Sequence, residues 1–342
     1  MVHASIIAIG ASAGGVSALQ VLAAALPGTF AAPILVVLHI GAHRSELPSL
    51  LNAAGPLTAK HAEDGEALAS GHIYVAPPDR HMVVVGGLLR LVRGPKQNCA
   101  RPAIDPLFES VAENYGPGAV GVVLTGKLND GTLGLLDIKR RGGIAIAQDP
   151  ADAAYPDMPA SAVAHVALDH CLPLAQMPKL LIELVGGKDG KEAVMSTAPS
   201  QIQSSQQPEI VDGRIFERPL TVTCPDCGGA LKRMTSGSII KFGCHIGHSY
   251  TAEIMASAQF VEMEKVMRAA VRFLNERAEF CLQMGESTAV AEASAAWHAA
   301  SKQALDRAYK LRDLVEQDWL TPEANDVLET RRKEFNPTEH TA

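Results

Sequence analysis

SIIAIGASAGGVSALQVLAAA, residues 5–25, passes from an apolar run through a glycine-bearing turn into a helix-like segment. Ser5–Gly10 has the continuous apolar character of a strand buried on both faces, and Val16–Leu26 carries the helical part. Between them, Gly10-Ala11-Ser12-Ala13-Gly14 matches G-x-S-x-G, a turn that projects its serine from a sharp strand-to-helix corner. Small neighbours let such a turn close. The helix behind it offers backbone N–H groups without intrahelical partners, which suits a developing oxyanion. A phosphate-binding glycine turn is the competing reading of the same residues. Two features count against it. Ser12 stands where the middle glycine would, and the next strand ends in His39 rather than in an acidic ribose-binding residue.

Further along, the strand-then-helix pattern repeats. ILVVLH, Ile34–His39, reads as a buried strand and Glu46–Ala53 as a helix. Strands are expected at His72–Ala76, Met82–Val85, Leu88–Val92, Gly121–Leu124 and Ile144–Ala147, with helices at Pro106–Tyr115 and Thr132–Arg140. This predicts an α/β fold: a doubly wound, mostly parallel, Rossmann-like sheet in three layers, with an antiparallel piece from 72–92 at one edge. His39 closes the second strand, and Asp130 follows the strand at 121–124 within Asn129-Asp130-Gly131. Both therefore fall, like Ser12, at carboxyl ends of strands, where the loops of a parallel sheet converge. A histidine there can take a proton from Ser12, and a carboxylate can orient the histidine. The blander reading makes His39 a packing residue and Asn-Asp-Gly a turn and helix cap. The chain order Ser, His, Asp differs from the Ser, Asp, His of α/β-hydrolases, so the serine turn does not extend to that fold.

Six segments in order, IGASAGG, VVLHI, YVAPPDRHM, RPAIDPLFESVA, GVVLTGKLNDGTLGL and IAIAQDP, resemble the catalytic domain of CheB-type protein-glutamate methylesterases over about residues 5–184. The resemblance implies Ser12 as nucleophile, His39 as general base and acid, and Asp130 as the group orienting His39. It implies no catalytic cofactor and, as substrate, glutamyl methyl esters on the cytoplasmic helices of chemoreceptors, with glutamine deamidation at the same site in some relatives. Backbone groups near Ala13 and Gly14 and in the loop at Lys127 are the expected oxyanion support. Ala13 replaces a threonine of the familiar motif, and Lys127-Leu128 stands where Met-Gly is familiar. The familiar form also carries a receiver domain ahead of the first catalytic strand; this sequence opens on that strand, so a stand-alone form is expected.

The chain has 342 residues, enough for more than one unit, and its hydrophobic fraction of 47% allows a sizeable core. A formal charge of −7 argues against nucleic acid as a main ligand. No stretch has the length and apolarity of a membrane span, so no membrane insertion and a cytoplasmic setting are expected. The expected organisation is a catalytic domain over 1–186, a Gly/Ser/Gln/Pro-rich linker over 187–218, a Cys/His module over 219–250 and a helical tail over 251–342. In the module, Cys224-Pro-Asp-Cys227 is followed about 16 residues later by Cys244-His-Ile-Gly-His248, close to zinc-ribbon spacing. Cys224, Cys227, Cys244 and His248 are the expected ligands of a structural zinc. His245 is the competitor, disfavoured by its adjacency to Cys244. In the tail, Phe260 to Cys281 and Trp297 to Val315 each show an apolar stripe at helical period around a break at Gly285. A helical hairpin or a homodimeric coiled coil would bury both. Two other functions fit less well: a catalytically silent adaptor working through its tail, and an esterase for a non-receptor substrate. Retention of Ser12, His39 and Asp130 together favours an enzyme.

Overall fold

A computed structural model describes residues 5–39, 45–186, 209–211, 214–216, 222–236 and 239–317. Most of the expected linker and the last part of the tail lie outside these residues. The chain forms two compact units, one running to Ile254 and the other beginning at Met255.

The first unit is built on β1 (Ile6–Ala11), β2 (Ile34–Leu38), β3 (Thr58–His61), β4 (His72–Val75), β7 (Ala119–Val123), β8 (Ile144–Gln148) and β9 (His170–Leu172). These seven make one sheet in the order β3-β4-β2-β1-β7-β8-β9, and every neighbouring pair is parallel. Parallel pairing requires crossovers, supplied by α1 (Gly15–Ala25), α2 (Leu47–Ala54), α3 (Ile104–Tyr115), α4 (Thr132–Arg140) and α5 (Asp157–His165), while α6 (Met177–Gly186) follows the last strand. Two apolar clusters, one on each face of the sheet, bury the alternate side chains of each central strand. Ile7, Ile9, Val36 and Val122 lie in one, and Ile6, Ala8, Val37 and Val123 in the other. That double burial explains why these strands read as continuous apolar runs.

The sequence expectation for 72–92 needs correction. β4 pairs in parallel with β2 and β3 inside the main sheet. The antiparallel element is a separate ribbon of β5 (His81–Val85) and β6 (Leu88–Val92). The burial explains the difference. Ile73, Tyr74 and Val75 are all buried, as an interior strand requires, whereas the ribbon buries Met82, Val84 and Leu89 and exposes Val85, Leu88 and Val92. Its inner face rests on α3, where the Ser110 hydroxyl accepts the Val84 N–H at 3.0 Å and the Asn114 amide donates to the Val84 carbonyl at 2.9 Å.

A short antiparallel pair, β10 (Glu209–Val211) and β11 (Arg214–Phe216), precedes the Cys/His segment. That segment folds as a three-stranded antiparallel sheet of β12 (Leu231–Ser236), β13 (Ile239–Cys244) and β14 (Ser249–Thr251). The second unit is a pair of helices, α7 (Ala252–Ser287, its first turn in the first unit) and α8 (Ala291–Val315). Ser301 Oγ donates to the Ala278 carbonyl at 2.7 Å and Ser294 Oγ to that of Gly285 at 2.7 Å, so the helices run antiparallel. Phe280 and Trp297 meet edge to face between them, with centroids 6.1 Å apart. Helix α7 continues through Gly285 to Ser287, slightly beyond the expected break.

Candidate active site

Order in the sheet reverses between β1 and β7, the place where an open α/β sheet leaves a crevice at its carboxyl edge. Ser12 follows β1, His39 follows β2 and Asp130 follows β7. Ser12 is held by its own backbone: its N–H donates to Thr125 O at 3.0 Å, and its carbonyl accepts the Gly15 N–H at 2.9 Å. Gly14 caps α1 in the left-handed region, with φ of 76°, which a side chain would strain. Across the turn, a Cβ on Gly126 would lie 2.8 Å from the Ser12 Cβ and would also strike Met158, so the loop after β7 can approach the serine only as glycine. The His39 N–H donates to Ala11 O at 3.1 Å, which sets its ring level with Ser12.

The three side chains form one hydrogen-bonded line. His39 Nδ1 stands 3.2 Å from Ser12 Oγ, and Nε2 stands 2.7 Å from Asp130 Oδ2. With the carboxylate accepting from Nε2–H, Nδ1 is left as the acceptor that faces the serine. Exposure is graded along the line: the His39 side chain keeps 20% of its surface and that of Asp130 only 2%.

Asp130 is surrounded by donors. Besides His39, it receives the Ile104 N–H at 2.6 Å, the Asp105 N–H at 3.3 Å and the Asn98 amide at 2.7 Å. Burial pushes its carboxyl up, but His39, the Ile104 N–H and the Asn98 amide together hold it below the ordinary aspartate value. Asp105 is its opposite. It too is buried, and burial with the neighbouring Asp130 charge raises its carboxyl well above the usual range, against the N–H of Gly134. Its Oδ1 accepts the N–H groups of Gly131 and Gly134 at 3.0 and 2.8 Å, which ties the start of α4 to α3. Asn98 and Asp105 received no role from the sequence. Asp105 sits inside the quoted RPAIDPLFESVA, but a carboxylate one residue into a helix looks like an ordinary first-turn acid, and nothing near Asn98 marks it.

Of the expected oxyanion support, Ala13 and Gly14 form the turn at the start of α1, and the Ala13 carbonyl accepts Thr125 Oγ1 at 3.0 Å. Lys127 is exposed, with its ammonium 5.7 Å from the ring centroid of Tyr155. Its side chain therefore belongs to the rim, and only its backbone lies in the loop beside Ser12. The Leu128 N–H is turned toward Asp157 Oδ2 at 3.4 Å, and Leu128 itself is left-handed with φ of 64°.

Cys224, Cys227, Cys244 and His248 converge, their ligand atoms all within 4.8 Å of one another. Cys227 and Cys244 sulfurs are 3.7 Å apart, and His248 Nδ1 lies 3.7 and 3.5 Å from the sulfurs of Cys224 and Cys244. Tetrahedral zinc bonds of ordinary length give edges of about 3.8 Å between two sulfurs and about 3.6 Å between sulfur and nitrogen. The donor set therefore fits such an ion. His245 is exposed, its ring lies against Gly229, and it is outside the group.

A parallel doubly wound sheet with a Ser–His–Asp line at its carboxyl edge has the arrangement of a serine hydrolase. Comparison with known proteins narrows the class: a family model described as CheB methylesterase matches residues 7–181, and the chain belongs to that family of enzymes. A curated Leptospira interrogans relative, whose name contains protein-glutamate methylesterase/protein-glutamine glutaminase, is 39% identical over 180 residues, 52% of this chain and 93% of the relative. A Yersinia pestis protein-glutamate methylesterase/protein-glutamine glutaminase is 39% identical over 190 residues, and there the match spans about half of the relative, 54%. The crystal structure of the Thermotoga maritima CheB methylesterase catalytic domain superposes with a TM-score of 0.52 at 37% identity, covering 54% of this chain and 100% of that domain.

Proposed function

We propose that the chain hydrolyses glutamyl methyl esters on chemoreceptor-type proteins by acyl transfer through Ser12, His39 and Asp130. The continuous line from Ser12 Oγ through His39 to Asp130 carries this reading, and the methylesterase names of the relatives support a glutamyl ester on a protein as the substrate. Ser12 Oγ attacks the ester carbonyl while His39 Nδ1 takes its proton. Backbone N–H groups at Ala13 and in the Lys127 loop face the developing oxyanion; such donors are typically worth about 3 kcal/mol of barrier each. Collapse breaks the C–O bond, and His39 returns the proton to the departing methoxide, releasing methanol. Water, deprotonated by His39, then cleaves the acyl-enzyme to free carboxylate. Attack on a glutamine side chain would run through the same steps with ammonia leaving.

Methanol release from methylated receptor fragments tests this directly. Wild type is expected to release it and Ser12→Ala to lose it while staying folded. Wild type that is labelled at Ser12 by a fluorophosphonate yet releases no methanol would move the substrate away from receptor esters.

The Cys/His group holds, in this reading, one structural zinc that fastens β12–β14 and supplies no chemistry to the ester. The tail serves as a dimer contact: Val266, Phe273 and Phe280 recur at seven-residue steps on α7 and are exposed. Sedimentation of Phe273→Glu against wild type separates dimer from monomer. Among the described residues no helix is long and apolar enough to cross a membrane, and a cytoplasmic setting fits receptor helices as substrate.

A further inference from the structure

Three residues of β14 and the turn before it reach across to the loops that flank Asp130. The Asn98 N–H donates to Ser249 O at 2.8 Å, and the Asn98 side-chain carbonyl accepts the Thr251 N–H at 3.3 Å. The amide nitrogen of the same side chain donates to Asp130 Oδ1 and to Asp105 Oδ2, both at 2.7 Å. Every polar atom of that side chain is thus engaged, and the amide can point only one way. Reversed, its oxygen would face the Asp130 carboxylate and its NH2 the Thr251 N–H. Asn98 is 6% exposed and left-handed, with φ of 50°. Such a conformation persists where the surroundings fix it.

The surroundings do so on both sides. Gln97 donates to Gly247 O at 2.9 Å and accepts the Ser249 hydroxyl. On the other flank of Asp130, Asn129 accepts Thr251 Oγ1 at 2.7 Å and donates to Glu253 at 2.8 Å. Below the loop, Arg101 is tied to Asp79 and to Gly94 O. Ser249, Tyr250 and Thr251 are all buried.

We infer that Asn98 is a positioning residue for Asp130, and that β14 of the Cys/His module is the clamp that sets its amide. The module is then a working part of the esterase site. The inference rests on the esterase reading for its kinetic consequence, though not for its geometry. The Leptospira relative is almost wholly accounted for by its 180-residue match, so the clamp tunes this site and is not a general requirement of the chemistry.

The test uses the full chain, with Asn98→Ala and the gentler double variant Gln97→Ala/Thr251→Val, which leaves Asn98 and both carboxylates in place. Fluorophosphonate labelling of Ser12 and methyl-ester turnover are followed against pH, with rates normalised to titrated active sites. Asn98→Ala is expected to lower kcat about 10- to 100-fold with KM unchanged, the scale of a misplaced catalytic group. The acid limb of its profile should move to higher pH, because Asp130 loses a donor that favours its anion. The double variant should move both in the same direction by less. A purely structural role would lower the number of active sites but leave the normalised rate and acid limb where they are, and that result in a folded variant overturns the inference. Should Asn98→Ala not fold, the double variant decides by the same criterion. If wild type neither labels nor turns over ester, the esterase reading fails separately. The downfield N–H proton of His39 hydrogen-bonded to Asp130 then reports: a shift in the variants sustains the positioning role, and an unmoved resonance ends it.

Discussion

Asp130 is a carboxylate held ionised against its own burial, and its partners define what a single substitution there should do. Asp130→Asn keeps the shape but offers His39 an amide in place of an anion. A drop in kcat of about 10⁴-fold is expected, as for a triad whose histidine loses its orienting charge, with the fold retained by circular dichroism. The same residue makes stability depend on pH. In the folded chain its carboxyl loses its proton below the ordinary aspartate value, because His39 and the surrounding donors outweigh burial, so its stabilising contribution is complete above the ordinary carboxylate value and is lost as pH falls through and below it. Urea unfolding midpoints compared at about pH 5 and pH 3 should therefore fall more in wild type than in Asp130→Asn; equal falls would deny the linkage. Gly126→Ala tests the other wall of the site. Its methyl would meet Ser12 Cβ at 2.8 Å, and loss of Ser12 labelling by about 100-fold is expected from the displaced nucleophile. Wild-type labelling would mean that the loop yields at little cost.

At the scale of elements, legibility in the sequence followed burial. β1, β2, β7 and β8 are covered on both faces and stand out as apolar runs. Ser12 and His39 draw attention because each directly follows such a run, and Asp130 because it lies in the glycine-bearing loop after one. The edge strands β3 (Thr58–His61, TAKH) and β9 (HCL) leave no comparable trace, since an edge tolerates polar residues. The β5–β6 ribbon was misplaced because alternation shows a half-buried strand but not the sheet to which it belongs. Asn98 was invisible for a different reason: its partners lie 7, 32 and 153 residues away in sequence. The ribbon's attachment to α3 gives a prediction of its own. Asn114 accepts the Gly86 N–H at 3.0 Å and donates to Val84 O. Asn114→Ala should cost about 1 kcal/mol in equilibrium denaturation, the usual net value of such bonds, and leave kcat unchanged. A large loss of activity would mean that the ribbon reaches the site.

For the whole molecule, the question is why a Cys/His sheet should be joined to a domain that by itself matches 93% of the Leptospira relative. A three-stranded sheet this small buries too little apolar surface to hold itself together, and the proposed zinc would supply the missing cross-link. Inside the module, the buried Tyr250 OH reaches Asp226 at 2.8 Å and lies 3.1 Å from the Cys224 sulfur. Lys241 pairs with Glu109 of α3 at 3.7 Å. The ligand group and the clamp on Asn98 are thus successive residues of one strand entry, with His248 next to Ser249. Removing the metal should release both. Purified full-length protein is expected to carry about one zinc per chain. Chelation should lower the melting temperature and speed amide exchange over 222–251, while exchange in β1 and β7 stays slow. Ser12 labelling should slow in step with zinc loss and recover when zinc is restored. If zinc is absent from the purified protein, or if its removal leaves exchange over 222–251 unchanged, the cluster is not what fastens the module. If the module loosens while Ser12 labels at its original rate, the metal fastens a domain that the site does not need.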